Sequence, residues 1–143
     1  MVQKYLSKIS GPLLDRIDLH VEVTPVNFNE LASDRLAEKS ELIRERVIKA
    51  REVQIERFGD KPHLHANAQM SPQMVRDLCK ITEAGQTLLK KAMEKLGLSA
   101  RAYDRILKVA RTIADLAGSE DIKIEHLAEA IQFRSLDREG WAG

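Results

Sequence analysis

The sequence predicts a mainly α-helical protein in which a single β-strand precedes a bundle of helices. Apolar residues alternate strictly with polar ones over residues 17–23 and nowhere later in the chain. Downstream, apolar residues recur at helical spacing between Ser, Thr, Pro and Gly positions that are typical of helix starts and stops. With 143 residues, 43% hydrophobic and only 4% aromatic, the chain can bury one core, which we expect to be aliphatic.

The first element is a short turn followed by the strand. Residues 11–16, Gly-Pro-Leu-Leu-Asp-Arg, predict a loop and a helical turn with Pro12 at its first position. Residues 17–23 then predict a strand with one face buried, which Pro25 ends. A lone strand has no ladder for its backbone groups, so we expect its partners upstream and an edge position in their sheet.

The helical part begins with a long helix at residues 41–58. Ile43, Val47, Ala50 and Phe58 mark one side of this helix, and Gly59 ends it. A loop at residues 59–70 is expected to separate it from the bundle that follows.

Capping residues delimit the remaining helices. Ser71 and Pro72 open a short helix that runs to Cys79, and Thr82 caps a helix that Gly97 stops. Ser99 caps the helix with the clearest apolar stripe, formed by Tyr103, Ile106, Ala110, Ile113 and Ala117 and ended by Gly118. A last helix is predicted at residues 124–134.

The charges are divided along the chain although the formal net charge is only +1. Residues 76–111 carry nine Lys or Arg against four Asp or Glu, and residues 115–129 carry five acidic residues against one Lys. Such a chain can present a basic face to phosphates or to an acidic partner. A single cysteine, Cys79, no membrane-spanning run and no apolar signal segment lead us to expect a cytoplasmic protein.

Sequence motifs for nucleotide chemistry are missing. None of the seven glycines stands in a phosphate-binding pattern, and no apolar strand ends in paired acids that could hold Mg²⁺. His20, His63, His65, His126 and Cys79 match no zinc spacing, so no metal site is predicted. We expect this chain alone to bind no cofactor and to hydrolyse no ATP.

Arg16 is the first candidate site residue. It lies directly after a Pro-led turn and directly before the strand, where a rigid mount could aim its guanidinium at a phosphate bound by a neighbouring subunit. The simpler interpretation is an ion pair with Asp15 or Asp18.

Arg101 is the second candidate, at the second residue of the helix that Ser99 caps. The helix dipole opposes a cation there, but free amide groups and a guanidinium would converge on a bound anion. Arg105 and Lys108 follow at spacings of four and three and could extend a phosphate-facing or DNA-facing stripe, with Arg111 further along. The simpler interpretation is the solvated side of an amphipathic helix.

Two long runs resemble a known family. Ile-Ser-Gly-Pro-Leu-Leu-Asp-Arg-Ile-Asp-Leu-His-Val-Glu-Val at 9–23 closely resembles a segment of magnesium-chelatase-like AAA+ ATPases, in the branch of the competence-associated ComM helicase. Leu-Ser-Ala-Arg-Ala-Tyr-Asp-Arg-Ile-Leu-Lys-Val-Ala-Arg-Thr-Ile-Ala-Asp-Leu at 98–116 and Ala-Ile-Gln-Phe-Arg-Ser-Leu-Asp-Arg at 130–138 resemble its C-terminal block. The resemblance covers nearly the whole chain.

The resemblance implies a fold, a cofactor and partners. Residues 1–26 would be the end of the AAA+ core, with the finger turn and the last, edge strand of its sheet, and residues 27–143 would be the helical C-terminal lid. Arg16 would be the arginine finger and Arg101 the sensor-2 residue, with Arg105 beside it. The parent would be a ring, expected to be a hexamer, that binds ATP and Mg²⁺ between subunits and acts on DNA, with no membrane involved.

Two other functions stay open from the sequence. The chain could be a stand-alone helical DNA-binding module that uses Arg101, Arg105, Lys108 and Arg111. It could also be a protein-interaction domain that works through the acidic residues at 115–129. The parent's substrate, whether DNA, a porphyrin system or a protein, is not given by the residues.

Overall fold

The computed structural model describes residues 10–14, 16–23, 25, 37–59 and 61–134. Within these ranges the chain forms α1 (Gly11–Leu14), α2 (Ser40–Phe58), α3 (Pro72–Leu78), α4 (Glu83–Leu96), α5 (Ala100–Leu116) and α6 (Ile124–Gln132), with a 3₁₀ turn at Asn67–Gln69. The predicted mainly α fold is confirmed. The predicted boundary between residues 26 and 27 and the predicted end at residues 135–143 lie outside the described residues.

Residues 17–23 form no β-ladder with any described segment. Ile17, Leu19, Val21 and Val23 are 41, 48, 67 and 87% exposed while His20 is buried, so no described segment covers the apolar face that is predicted to be buried. A strand needs a neighbour for its backbone hydrogen bonds, and no described segment supplies one. Pairing with a sheet therefore stays a prediction.

Helix α5 lies at the centre of the bundle and packs against α2, α3, α6 and the 3₁₀ turn. Its buried side carries small and aliphatic side chains: Ala102, Ile106, Leu107, Ala110 and Ala114. The predicted stripe is confirmed at Ile106 and Ala110, whereas Tyr103 and Ala117 lie on the exposed edges of that stripe. Small residues in this stripe allow several helices to approach α5 closely.

The predicted caps are present. The Ser99 and Thr82 hydroxyls accept hydrogen bonds from the amides of Ala102 at 3.3 Å and Gly85 at 3.2 Å, which begins α5 and α4. Ser71 does the same for Met74 at the start of α3. Gly97 ends α4 at φ 61°, a left-handed conformation that glycine adopts without steric cost.

Only the second half of α2 belongs to the core. Ala50, Gln54 and Phe58 are buried, but Ile43 and Val47, predicted to lie on the same packed side, are exposed. Amphipathic spacing indicates which side of a helix can pack, and in this structure no described element covers the first half of that side. The described core is aliphatic as expected, and Cys79 lies in it. None of the described helices has the length and hydropathy needed to cross a membrane.

Candidate functional site

Arg16 lies on an exposed bend between α1 and residues 17–23. Its amide donates a hydrogen bond to the carbonyl of Leu13 at 3.0 Å, so a tight turn connects Arg16 to the end of α1. Within the described residues no ion pair involves Arg16, and Asp18 pairs with Arg105 instead. The other suggested partner, Asp15, lies outside the described residues. The side chain of Arg16 is exposed to solvent.

Arg101 is exposed in the first turn of α5 and borders an open pocket of about 220 Å³. The pocket is lined by Asp18, Ala68, Arg101, Asp104, Arg105 and Lys108. The pocket therefore brings three of the candidate basic residues together with Asp18, which lies two positions after Arg16. Three cations against two carboxylates leave the pocket lining with a net positive charge, which favours an anion.

Two of the three basic side chains already have protein partners. The Arg105 guanidinium forms an ion pair with Asp18, and Lys108 Nζ donates to the Ala68 carbonyl at 3.1 Å. These contacts join the amino-terminal segment and the loop before α3 to one side of α5. Arg101 is the most accessible cation of the three.

Arg111 does not belong to this surface. Its side chain is buried, and it donates to Asp115 Oδ1 at 3.1 Å and to the carbonyls of Glu120 at 2.7 Å and Ser119 at 2.6 Å. Its donors hold the turn between α5 and α6, which does not support the predicted contact of Arg111 with nucleic acid, and that contact stays a prediction. The stripe on α5 is limited to Arg101, Arg105 and Lys108.

Asp115 is the centre of a buried polar network that the sequence did not reveal. Its carboxylate accepts hydrogen bonds from Arg57, Asn67 and Arg111. Burial by itself would raise the pKa of Asp115, but the hydrogen bonds from Arg57 and Asn67 and the charges of Arg57 and Arg111 outweigh it, so the pKa is lowered. Asp115 thus cannot contribute to an acidic docking surface at residues 115–129. In the sequence, the four-residue spacing between Arg111 and Asp115 was the signal that could have predicted an ion pair at this position.

Desolvation has the largest effect on the pKa of Cys79. Burial raises the pKa of its thiol to about 11, although the charges of Arg111 and Arg57 oppose the shift. A thiol in this environment is a core residue rather than a nucleophile. Among the described residues no group of three or more His, Cys, Asp or Glu side chains could hold a metal ion.

Comparison with protein families matches the chain in two stretches. Residues 37–134 match the family "Magnesium chelatase, subunit ChlI C-terminal", and residues 1–31 match the family "Magnesium chelatase, subunit ChlI". The first stretch contains α2 to α6, and the second contains Arg16 and Asp18.

Curated relatives cover almost the whole chain. It is 45% identical over 139 residues to "Competence protein ComM" of Haemophilus influenzae, a match that spans 96% of this chain and 26% of the relative. It is 39% identical to "Uncharacterized protein YifB" of Escherichia coli, over 94% of this chain and 26% of the relative. It is 36% identical to "Uncharacterized protein Rv2897c" of Mycobacterium tuberculosis, over 92% of this chain and 26% of the relative.

The chain therefore spans about a quarter of the length of the curated relatives it matches. The family match covers the whole described bundle, and the relatives extend it to the amino-terminal segment. The chain belongs to the magnesium-chelatase-like family, in its ComM and YifB branch, and carries the family's C-terminal domain.

Proposed function

We propose that this chain is the C-terminal lid of a ring-forming AAA+ ATPase, with Arg16 as its arginine finger and Arg101 as its sensor-2 residue. In the full-length protein, ATP and Mg²⁺ would be held by the remainder of the AAA+ core, between subunits of a hexameric ring. This chain would supply positive charge to those sites and would not hydrolyse ATP by itself.

One observation carries the proposal: Arg16 and Arg101 are both exposed, while the backbone that bears each of them is fixed. Arg16 follows α1 and is bonded to Leu13, and Arg101 stands in the capped first turn of α5. Arg111, by contrast, is buried with its donors occupied. An arginine that only stabilised the lid would be expected to resemble Arg111.

The chemistry follows from the guanidinium group. It stays charged at physiological pH and presents a planar fork of donors, which suits the oxygens of a transferring phosphoryl group. Arg16 would act on the nucleotide of a neighbouring subunit and neutralise charge as the phosphoryl group leaves. Arg101 would meet the phosphates of a bound nucleotide at the start of α5, where the helix dipole also favours an anion.

We extend the proposal to the substrate. The relative from Haemophilus influenzae is named "Competence protein ComM", and from the resemblance to that branch we propose that the motor drives branch migration of DNA. The substrate of the motor is independent of the finger and sensor-2 assignments. It needs its own assay, in which a branched DNA is converted by ATP-driven movement of its branch point.

The test is the ATPase activity of the full-length protein. Arg16→Ala is expected to lower kcat by about a thousandfold, the scale of finger losses in related phosphoryl transfer, with nucleotide affinity largely unchanged. Arg101→Ala is expected to weaken nucleotide binding, hydrolysis or both. Arg51→Ala, an exposed arginine on α2, is the matched control and should behave as the wild type.

Clear outcomes would refute each part. Normal turnover in Arg16→Ala removes the finger assignment, and unchanged binding and turnover in Arg101→Ala removes the sensor-2 assignment. ATP hydrolysis above background by the 143-residue chain alone would contradict its assignment as a lid.

A further inference from the structure

The two residues directly after α6 hold the backbone that follows Arg16 at two points. Arg134 Nη1 donates a hydrogen bond to the carbonyl of Ile17, and the His20 amide donates to the carbonyl of Phe133 at 2.8 Å. Ile17 directly follows Arg16, and His20 lies three residues further on. The two consecutive residues Phe133 and Arg134 therefore fix the main chain within four residues of Arg16.

The bond to Ile17 comes from a buried side chain. Arg134 is 0% exposed, and a guanidinium is stable in such a place only when its donors are engaged. Hydrogen bonds from a charged donor are shorter and stronger than neutral ones, and the planar group fixes their direction. The Ile17 carbonyl is thus held by a rigid, solvent-excluded group.

The bond from His20 uses a different property of α6. The last carbonyls of a helix have no partner within that helix, so an amide from another segment can satisfy one of them. The Phe133 carbonyl, directly after the last residue of α6, accepts the His20 amide in this way. The amino-terminal segment caps α6, and α6 in turn anchors that segment.

Two other arginines of the bundle, the part-buried Arg57 and the buried Arg111, bind residues within the bundle. Arg57 donates to Asn67 and Asp115, and Arg111 donates to Asp115, Ser119 and Glu120. All these partners belong to the helical bundle and its turns. Arg134 also donates to the carbonyl of Ile17, 117 positions earlier and directly after Arg16.

We propose that Arg134 is a positioning residue for Arg16, which holds the Ile17 carbonyl so that the finger is aimed before nucleotide arrives. The inference rests on the proposed function of Arg16. An arginine finger acts only where its guanidinium meets the transferring phosphoryl group, and a misplacement of about 1 Å can cost up to about a hundredfold in rate. Arg134 therefore acts on kcat through Arg16 and leaves nucleotide affinity unchanged.

The first test compares two arginines of the bundle, Arg134 and Arg57, in the full-length ATPase. Arg134→Ala is expected to lower kcat by roughly tenfold or more, with KM for ATP unchanged, at a temperature where the protein stays folded. Arg57→Ala is the matched control, since it removes a part-buried, hydrogen-bonded arginine of the same bundle without touching residues 17–20, and its kcat should match the wild type. Arg134→Lys, which keeps the charge without the fork, should recover only part of the lost rate.

A double variant, in which Arg134→Ala is added to Arg16→Ala, separates this inference from the proposed function. In Arg16→Ala, the further change Arg134→Ala should cause no additional loss, because the finger is already absent. If Arg16→Ala keeps normal turnover, the finger assignment itself fails. If Arg16→Ala abolishes turnover while Arg134→Ala and Arg57→Ala behave alike, the finger stands and the positioning role falls.

Amide hydrogen exchange on the wild-type 143-residue chain needs no variant. The His20 amide is expected to exchange at least about a hundredfold more slowly than an unprotected amide, because it is bonded to Phe133. Where Arg134→Ala fails to fold, the lysine variant and this measurement decide the question. Exchange of the His20 amide at the rate of an open coil would overturn the proposal.

Discussion

Arg57, in the last turn of α2, donates two hydrogen bonds to the carboxylate of Asp115 near the end of α5. Nη1 lies 2.8 Å from Oδ2 and Nη2 lies 2.5 Å from Oδ1, so the pair is bidentate and joins residues 58 positions apart. Arg57 Nη1 also donates to Asn67 Oδ1 at 2.8 Å, which adds the 3₁₀ turn to the same junction. Three elements of the bundle therefore meet at one carboxylate.

Removing that carboxylate should strongly destabilise the bundle. In Asp115→Ala the guanidinium groups of Arg57 and Arg111 lose their shared acceptor while still largely buried, and loss of one partner from a buried pair costs about 3 kcal/mol or more. The free energy of unfolding, obtained from urea titration of the chain, measures the change. Glu38→Ala is the control, because it breaks an ion pair with Arg46 that is exposed on both sides and should hardly move the urea midpoint. Equal midpoints for the two variants would contradict the central place of Asp115.

The same residue predicts a dependence of stability on pH. The pKa of Asp115 is lower in the folded protein than in the unfolded chain, so the carboxylate binds a proton more readily once the protein unfolds. Its contribution is complete above roughly pH 4 and is lost as the pH falls through the folded pKa. The difference in unfolding free energy between wild type and Asp115→Asn should therefore stay constant above that pH and shrink below it. A difference that instead grew on acidification would reverse the assigned sign.

Cys79 should react slowly with thiol reagents in the folded protein. Its side chain is buried, and with its pKa raised to about 11 only roughly one thiol in a thousand is ionised at pH 8. Reaction with a disulfide reagent, followed by absorbance, is expected to be at least about a hundredfold slower in buffer than in concentrated urea. A full burst of reaction from the native chain would place the thiol at the surface.

The isolated chain should bind DNA weakly. Of the basic residues predicted for a DNA-binding module, Arg111 is buried, Arg105 pairs with Asp18 and Lys108 is bonded to Ala68. We expect a Kd above about 1 µM near physiological salt and a log–log salt slope of about one to two, since each neutralised phosphate adds about 0.9 to the slope. Fluorescence anisotropy with duplex and single-stranded DNA measures both quantities. Nanomolar affinity with a slope of four or more would instead support the hypothesis that the chain is a DNA-binding module.

Local rules predicted the helices well. Ser99, Thr82 and Gly97 act within one turn of their own position, so spacing in the sequence was sufficient to place the ends of α4 and α5. The same rules missed the extent of packing along α2. The apolar residues Ile43 and Val47 have the right spacing, but burial depends on whether another element reaches them.

The candidate site was predicted in part. Arg16 and Arg101 were chosen from their positions beside a turn and a cap, and Arg105 from its spacing of four after Arg101. The structure brings Arg101 and Arg105 to one pocket with Asp18. Arg111 does not share this surface, because steps of three residues do not return to the same side of a helix. At 3.6 residues per turn, Arg111 lies roughly 80° around the axis of α5 from Arg101. The contacts of Asp115 with Arg57 and of Arg134 with Ile17 join distant positions, which no local spacing encodes.

The contact between Arg134 and Ile17 has a consequence for the order in which the protein forms. The ribosome synthesises Ile17 first, yet its partner emerges 117 residues later. The local contacts of α4, α5 and α6 can form with little loop-closure cost, whereas this long loop closes only after the last helix is made. The backbone beside Arg16 is therefore secured only after α6 and Arg134 have been synthesised, and until then the nascent chain carries an arginine that is not yet aimed.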